Sequence, residues 1–169
     1  MFQVQSLQAN SPNVDETLPL LIQFSNSIFS PVPGTKYTSV AVWKQRLASP
    51  VSVILYVTAP PASPHITQDA IVAFLFAHPR THASPLRTGE TDTLHIWLAG
   101  VSPEHRKAGL LQQMVDNLST RVVGSLTVCT IPARFPNMWG WLTKRGWEVE
   151  RAWGEGKVLL SKSINPTVP

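Results

Sequence analysis

The sequence predicts one α/β domain over residues 1–162, with helices on both faces of a mixed sheet. Three observations carry that prediction. Apolar periodicity changes along the chain, in the order helices, a run of strands, strand–helix, strand–helix and closing strands. A chain of 169 residues suits a single domain with a sizeable core. Hydrophobic residues make up 43% and charged residues 14%, a balance that belongs to folded rather than disordered chains. The 15 prolines gather in connections, where they stiffen loops without breaking ladders.

Taken in order, Phe2 and Val4 alternate as in an edge strand within 1–10. Asn13 or Asp15 can cap a first helix, with Pro19 tolerated in its first turn. Its buried stripe is Leu18, Leu21, Ile22, Ile28 and Phe29, and the run PVPG at 31–34 stops it. A second helix over 39–47 follows from Val40, Trp43 and Leu47 on one side and Lys44, Gln45 and Arg46 on the other. Residues 51–58 are dense in β-branched side chains and read as a buried strand. With the apolar run 71–77 they make an antiparallel hairpin on a longer loop. The polar stretch 79–91 reads as a connection. Residues 126–131 are a further strand, and Pro136 opens a helix on the stripe Phe135, Met138, Trp139 and Leu142, ended by Gly146. A final hairpin, 147–153 with 157–161, turns at Gly154-Glu155-Gly156, and 163–169 is expected to fray.

The chain is organised around residues 92–118. Thr93, His95, Trp97, Ala99 and Val101 point one way on a strand, and Leu94, Ile96 and Leu98 the other. Pro103 ends that strand. A basic turn, HRKAG, follows, and then Leu110, Leu111, Met114, Val115 and Leu118 at helical spacing. A helix N-terminus offers unpaired N–H groups and the positive end of the dipole. Gly109 leaves room for a bulky anion to approach the backbone, and Arg106 and Lys107 add charge there. The plainer alternative is a solvated basic corner.

The run VSPEHRKAGLL, 101–111, resembles the acetyl-CoA-binding motif of the GNAT superfamily of N-acyltransferases. Arg106, Lys107, Ala108, Gly109 and Leu110 fall on that motif, with Leu111 where a small residue is usual. The segment 127–148 is similar to the family's next strand and helix, closing on Lys-Arg-Gly-Trp. The resemblance implies a single-domain, mostly antiparallel sheet. It also implies acetyl-CoA as co-substrate, with its pantetheine arm between strands 93–101 and 126–131. Backbone near Ala99, Gly100 and Val101 would then meet the cofactor and the developing oxyanion. Gly100 suits either a bulge freeing an N–H or close packing.

Acyl transfer needs a neutral amine, a stabilised oxyanion and a leaving thiolate. Counting back from the V-x-P end, the family's usual carboxylate base falls on His95, whose unperturbed pKa of about 6.5 suits the task; a packing role is the alternative. Leu142 stands where the family's general-acid tyrosine is expected. Trp97 shares the strand face of His95 and can wall an acceptor pocket, and the same resemblance implies that Phe29, Tyr37 and Trp43 shape it, which suggests an apolar or aromatic small-molecule amine. Ordinary core packing explains those aromatics too. Direct transfer needs no covalent intermediate, so Cys129 is dispensable. A non-catalytic module of the same fold, binding CoA or a partner, is the alternative.

The net charge of +4 and pI near 9.6 fit an anionic ligand such as CoA and are too modest to argue for nucleic acid. The single cysteine, Cys129, excludes an internal disulfide and suits a reducing compartment. No signal peptide or membrane span is read from the sequence, so a cytoplasmic protein is expected. No metal site is expected: His78 and His82 are spaced i, i+4, but Pro79 argues against a zinc-binding helix. His65 and His105 read as solvated loop residues. Trp139 reads as core and Trp141 as more exposed.

Overall fold

The computed structural model describes residues 2–29, 39–60 and 66–164. Seven strands form one sheet in the order β1-β2-β3-β4-β5-β7-β6, with four α-helices among the described residues. The strands are β1 (Val4–Leu7), β2 (Val53–Thr58), β3 (Ile71–Thr81), β4 (Asp92–Val101), β5 (Gly124–Thr130), β6 (Glu148–Ala152) and β7 (Val158–Ile164). The helices are α1 (Val14–Phe29), α2 (Val40–Leu47), α3 (Leu110–Ser119) and α4 (Pro136–Lys144). The chain groups into two compact units, 1–78 with 98–120, and 79–97 with 121–169, where a single domain is expected from length.

In the first unit β1 pairs antiparallel with β2 from Val4↔Val57 to Leu7↔Ile54. The β2–β3 hairpin runs from Val53↔Ala77 to Thr58↔Ile71, as the two apolar runs predict. Every residue of Ile71–Ala77 is buried, which explains a continuous apolar run in place of alternation. Phe74 is the hub of this core. Trp43 stacks on it at 6.0 Å between ring centroids, Phe24 meets it edge-on at 5.9 Å, and Trp43 also tilts against Phe76 at 5.2 Å. Ser39 caps α2, its Oγ accepting from the Val42 N–H. The Asn13 carbonyl accepts from Glu16 and Thr17 at the start of α1. Pro19 lies six residues into that helix, beyond the expected first turn. It sits on the exposed face, while Leu18, Leu21 and Ile22 face inward. Ile28 and Phe29 are only half-buried, and Phe24 takes their expected place in the stripe.

In the second unit β4 and β5 pair in parallel at Leu94↔Leu126, His95↔Thr127 and Ile96↔Val128. Parallel neighbours require a crossover, which the α3 segment of the chain supplies. Antiparallel pairs join β5 to β7 from Gly124↔Ile164 to Thr130↔Val158, and β6 to β7 from Glu148↔Ser161 to Ala152↔Val158. The last hairpin therefore forms as expected. Ser163 and Ile164 belong to β7, because pairing with β5 holds them; the remainder of the expected tail lies outside the described residues.

Two further elements depart from expectation. Strand β3 continues through Pro79 to Thr81. Its register with β2 ends at Ala77, so the missing N–H of Pro79 falls beyond that ladder. On α4 only Leu142 is buried; Phe135, Met138 and Trp139 are half-buried. Trp139 is therefore not a core residue, and Trp141 carries the Arg145 guanidinium 4.6 Å from its ring centroid.

Candidate functional site

Pro103 opens a single 3-10 turn, Pro103–His105. Arg106 returns to extended backbone, and Lys107 and Gly109 take left-handed conformations at φ 66° and 76°. Gly109 is the N-cap of α3 and has no side chain to cap it. The N–H groups of the first helical turn therefore have no side-chain partner from the cap position. A Cβ added at Gly109 would meet nothing within 4 Å. The glycine thus serves the backbone conformation and leaves open space in front of the helix. Arg106, Lys107 and Ala108 are exposed, Leu110 is buried and Leu111 half-buried. The Arg106 Nε–H donates to the Val101 carbonyl at 3.5 Å. His105 is held rather than merely solvated: Nδ1 lies 2.7 Å from Ser102 Oγ, and its ring meets Phe2 edge-on at 5.7 Å.

The neighbouring strand residues separate into roles. Ala99 and Val101 are half-buried. At Gly100 an added Cβ would stand 2.9 Å from Ile28 Cδ1 and 3.3 Å from Phe74 Cε1. Close packing therefore accounts for a glycine at this position.

His95 is the second member of a largely buried chain of five polar side chains within the second unit. The residue is 4% exposed. Nε2 lies 3.2 Å from Arg80 Nη1, and Nδ1 lies 2.9 Å from Thr127 Oγ1. Thr127 Oγ1 is 2.7 Å from Thr93 Oγ1, which is 2.7 Å from His82 Nε2. Arginine can only donate, so the neutral His95 ring accepts at Nε2 and carries its proton on Nδ1. One arrangement then uses every proton of the chain: Arg80 to His95, His95 to Thr127, Thr127 to Thr93, and Thr93 to His82. The tautomers follow from this network. His82 suits the accepting end. Its burial, and then the charges of Arg80 and Arg151, push its pKa below the ordinary value, which favours the neutral ring. Arg80 Nη1 also reaches Cys129 Sγ at 3.4 Å.

The expected acceptor-site residues fare unequally. Trp97 is half-buried on β4. Trp43, expected to line a substrate pocket, is 1% exposed and stacked on Phe74; it is core, and that expectation is corrected. Phe29 is half-buried and meets Phe74 edge-on at 6.4 Å. Tyr37 and His65 lie outside the described residues. Leu142, at the position expected for a general acid, is buried and apolar. The described residues hold no group of three or more metal-ligating side chains, and no helix among them is long and apolar enough to cross a membrane.

Sequence reasoning missed Arg80, His82, Thr93 and Thr127 as a set. The signal was present in His78, Arg80 and His82, which stand at strand spacing of two directly after the apolar run 71–77. Pro79 and the polar composition of 79–91 disguised that continuation as a loop.

No protein-family profile matches the chain, and no curated protein matches it. Solved structures do. The Arabidopsis thaliana NAA60 in complex with acetyl-CoA aligns with a TM-score of 0.66 at 14% identity, over 98% of this chain and 100% of that one. The ribosomal-protein-S18-alanine N-acetyltransferase from Escherichia coli aligns with a TM-score of 0.63 at 13% identity, over 99% and 96%. An acetyltransferase from Thermus thermophilus gives 0.62 at 14% identity, over 96% and 97%. With a mixed, mostly antiparallel seven-stranded sheet and these neighbours, the chain has the fold of the GNAT acetyltransferases.

Proposed function

We propose that this protein is an acyl-CoA-dependent N-acyltransferase that passes an acetyl group directly to an amine. The observation that carries the reading is the start of α3. A left-handed Gly109 without a capping side chain, open space before it, and the charges of Arg106 and Lys107 suit a pyrophosphate. They occur on a fold whose neighbours include an acetyl-CoA complex. In this reading Arg106, Lys107, Ala108, Gly109, Leu110 and Leu111 hold the phosphates. The backbone at Ala99, Gly100 and Val101 lies along the acyl arm. The amine nitrogen attacks the thioester carbonyl carbon, the carbon–sulfur bond breaks, and the thiolate takes a proton from solvent. His95 is the candidate base, and Nε2 is the atom that would receive the amine's proton once Arg80 releases it. Trp97 and Phe29 remain candidates for contact with the acceptor, and the protein acts in the cytoplasm.

The second reading, a binding module without turnover, is favoured by one observation: Nε2 of His95 already accepts from a cation, which opposes protonation. Calorimetric titration with acetyl-CoA tests the cofactor assignment. Saturable binding by the wild type, lost in Gly109→Trp, is expected. No binding by the wild type would discard the acyltransferase reading. Binding without thiol release across a panel of amines would select the module.

A further inference from the structure

We propose that Arg80 is the receptor for an oxyanion, so that the ligand taken by the second unit, an amine under the acyl-transfer reading, carries a carboxylate or phosphate group. Arg80 is half-buried near the end of β3. Among the described residues its bonded partners are neutral or weak: Nη1 donates to His95 Nε2 and to Cys129 Sγ. The ion pairs in the described structure belong to Arg87, which meets Glu148 and Glu150. Arg80 keeps some solvent exposure, and no carboxylate of the described residues is in ion-pair distance of it, which leaves a partly buried cation open to an anionic partner. Arginine also presents five N–H donors in a planar fork. The two bonds formed here both use Nη1, which leaves Nε and Nη2 for a planar anion to engage side by side.

The surroundings hold this donor in place instead of neutralising it. Arg80 can only donate, so His95 meets it as the tautomer protonated on Nδ1, and Thr127, Thr93 and His82 continue the chain from Nδ1 through contacts of 2.7–2.9 Å. Thr127 is fully buried, and Thr93 and His82 nearly so. Four side chains, on β4, on β5 and just after β3, thus orient one cationic fork. The net charge of the second unit as a whole favours an anion as well. Residues 79–97 and 121–169 hold nine Lys and Arg against five Asp and Glu, the whole of the chain's net +4. His95 is here a positioning residue.

The test reads anion binding without acetyl-CoA, so its failure and the failure of the acyl-transfer reading are separate results. Nitrogen-15-labelled wild-type protein is titrated with acetate, with its neutral isostere acetamide, and with inorganic phosphate, at constant ionic strength. The ring resonances of His95 and His82 are followed. Acetate or phosphate is expected to shift the His95 ring saturably, and acetamide to leave it unmoved. The tighter of the two anions identifies the ligand as carboxylate- or phosphate-bearing. Arg80→Gln should weaken the response at least about tenfold, the loss of one charge-assisted contact. Arg80→Lys, which keeps the charge and loses the fork, should fall between them. Equal responses to acetate and acetamide, no response to either anion, or an undiminished response in a folded Arg80→Gln would overturn the proposal. If Arg80→Gln does not fold, the comparison of acetate with acetamide on the wild type decides alone.

Discussion

Nδ1 of His95 lies 2.9 Å from Oγ1 of Thr127, its direct partner in the parallel register of β4 and β5. The contact turns a strand pairing into a chemical constraint. Thr127 is fully buried, so no water can replace its hydroxyl without a rearrangement. Thr127→Val keeps the shape and strands the Nδ1 proton. We expect a loss of about 1–3 kcal/mol, the cost of a buried unsatisfied donor. Thr127→Ser, which retains the oxygen, should lose less. Urea denaturation of both variants checks the order, and a Val variant as stable as wild type would break the chain of bonds described here.

The same chain sets a pH dependence at its other end. Burial, followed by Arg80 and Arg151, lowers the His82 pKa in the folded protein from its ordinary 6.5. The unfolded chain then binds a proton more readily than the folded one. Stability is full above about pH 6.5 and is lost as pH falls from there toward the folded pKa. Thermal melts from about pH 7.5 down to about pH 5 should show a decline that His82→Gln flattens. Parallel curves for the two proteins would mean that His82 does not carry that slope.

Much of this architecture was legible in the sequence. The β2–β3 and β6–β7 hairpins follow from β-branched runs and from a Gly-Glu-Gly turn, and the α3 start follows from Pro103, two basic residues and Gly109. Period-two and period-3.6 patterns are local, so a sequence displays them directly. The His95 network was not legible, because it is made by register. Thr93 and Thr127 stand 34 residues apart, and nothing local states that the parallel ladder sets Thr127 opposite His95. Trp43 misled for a related reason. An aromatic residue on a helix stripe suits a pocket and a core equally, and its stacking on Phe74 decides for the core.

Gly100 offers a packing test in the first unit. A Cβ there would crowd Ile28 Cδ1 and Phe74 Cε1. Gly100→Val adds branched volume against both, and overpacking of this kind costs about 1–3 kcal/mol. Ile28 is half-buried at the end of α1 and can be shortened. Ile28→Ala should therefore recover part of the loss, a non-additivity readable in a double-mutant cycle. Simple additivity of the two changes would show that Ile28 is not the residue that Gly100 accommodates.

Gly124 and Glu90 make the corresponding test in the second unit, with charge added. Gly124 opens β5 at φ 108°, and a Cβ there would strike the Glu90 carboxylate. That carboxylate accepts from the Ser125 N–H at 2.8 Å, from Ser125 Oγ at 2.6 Å and from Thr88 Oγ1 at 2.5 Å. Burial pushes the Glu90 pKa up, but the three bonds together outweigh it and leave it below the ordinary 4.5. Gly124→Ala should therefore cost twice, through positive-φ strain and through displacement of Glu90. In a Glu90→Gln background, where the charge-assisted bonds are already weakened, the same substitution should cost less. The pH signature separates the two contributions. Stability from the Glu90 charge is full above about pH 4.5 and is lost as pH falls through the folded pKa. The gap between wild type and Glu90→Gln should accordingly close in acid, while the strain from Gly124→Ala persists. A gap between wild type and Glu90→Gln that stays constant down to about pH 3 would remove the charge from this account and leave only the shape of the turn.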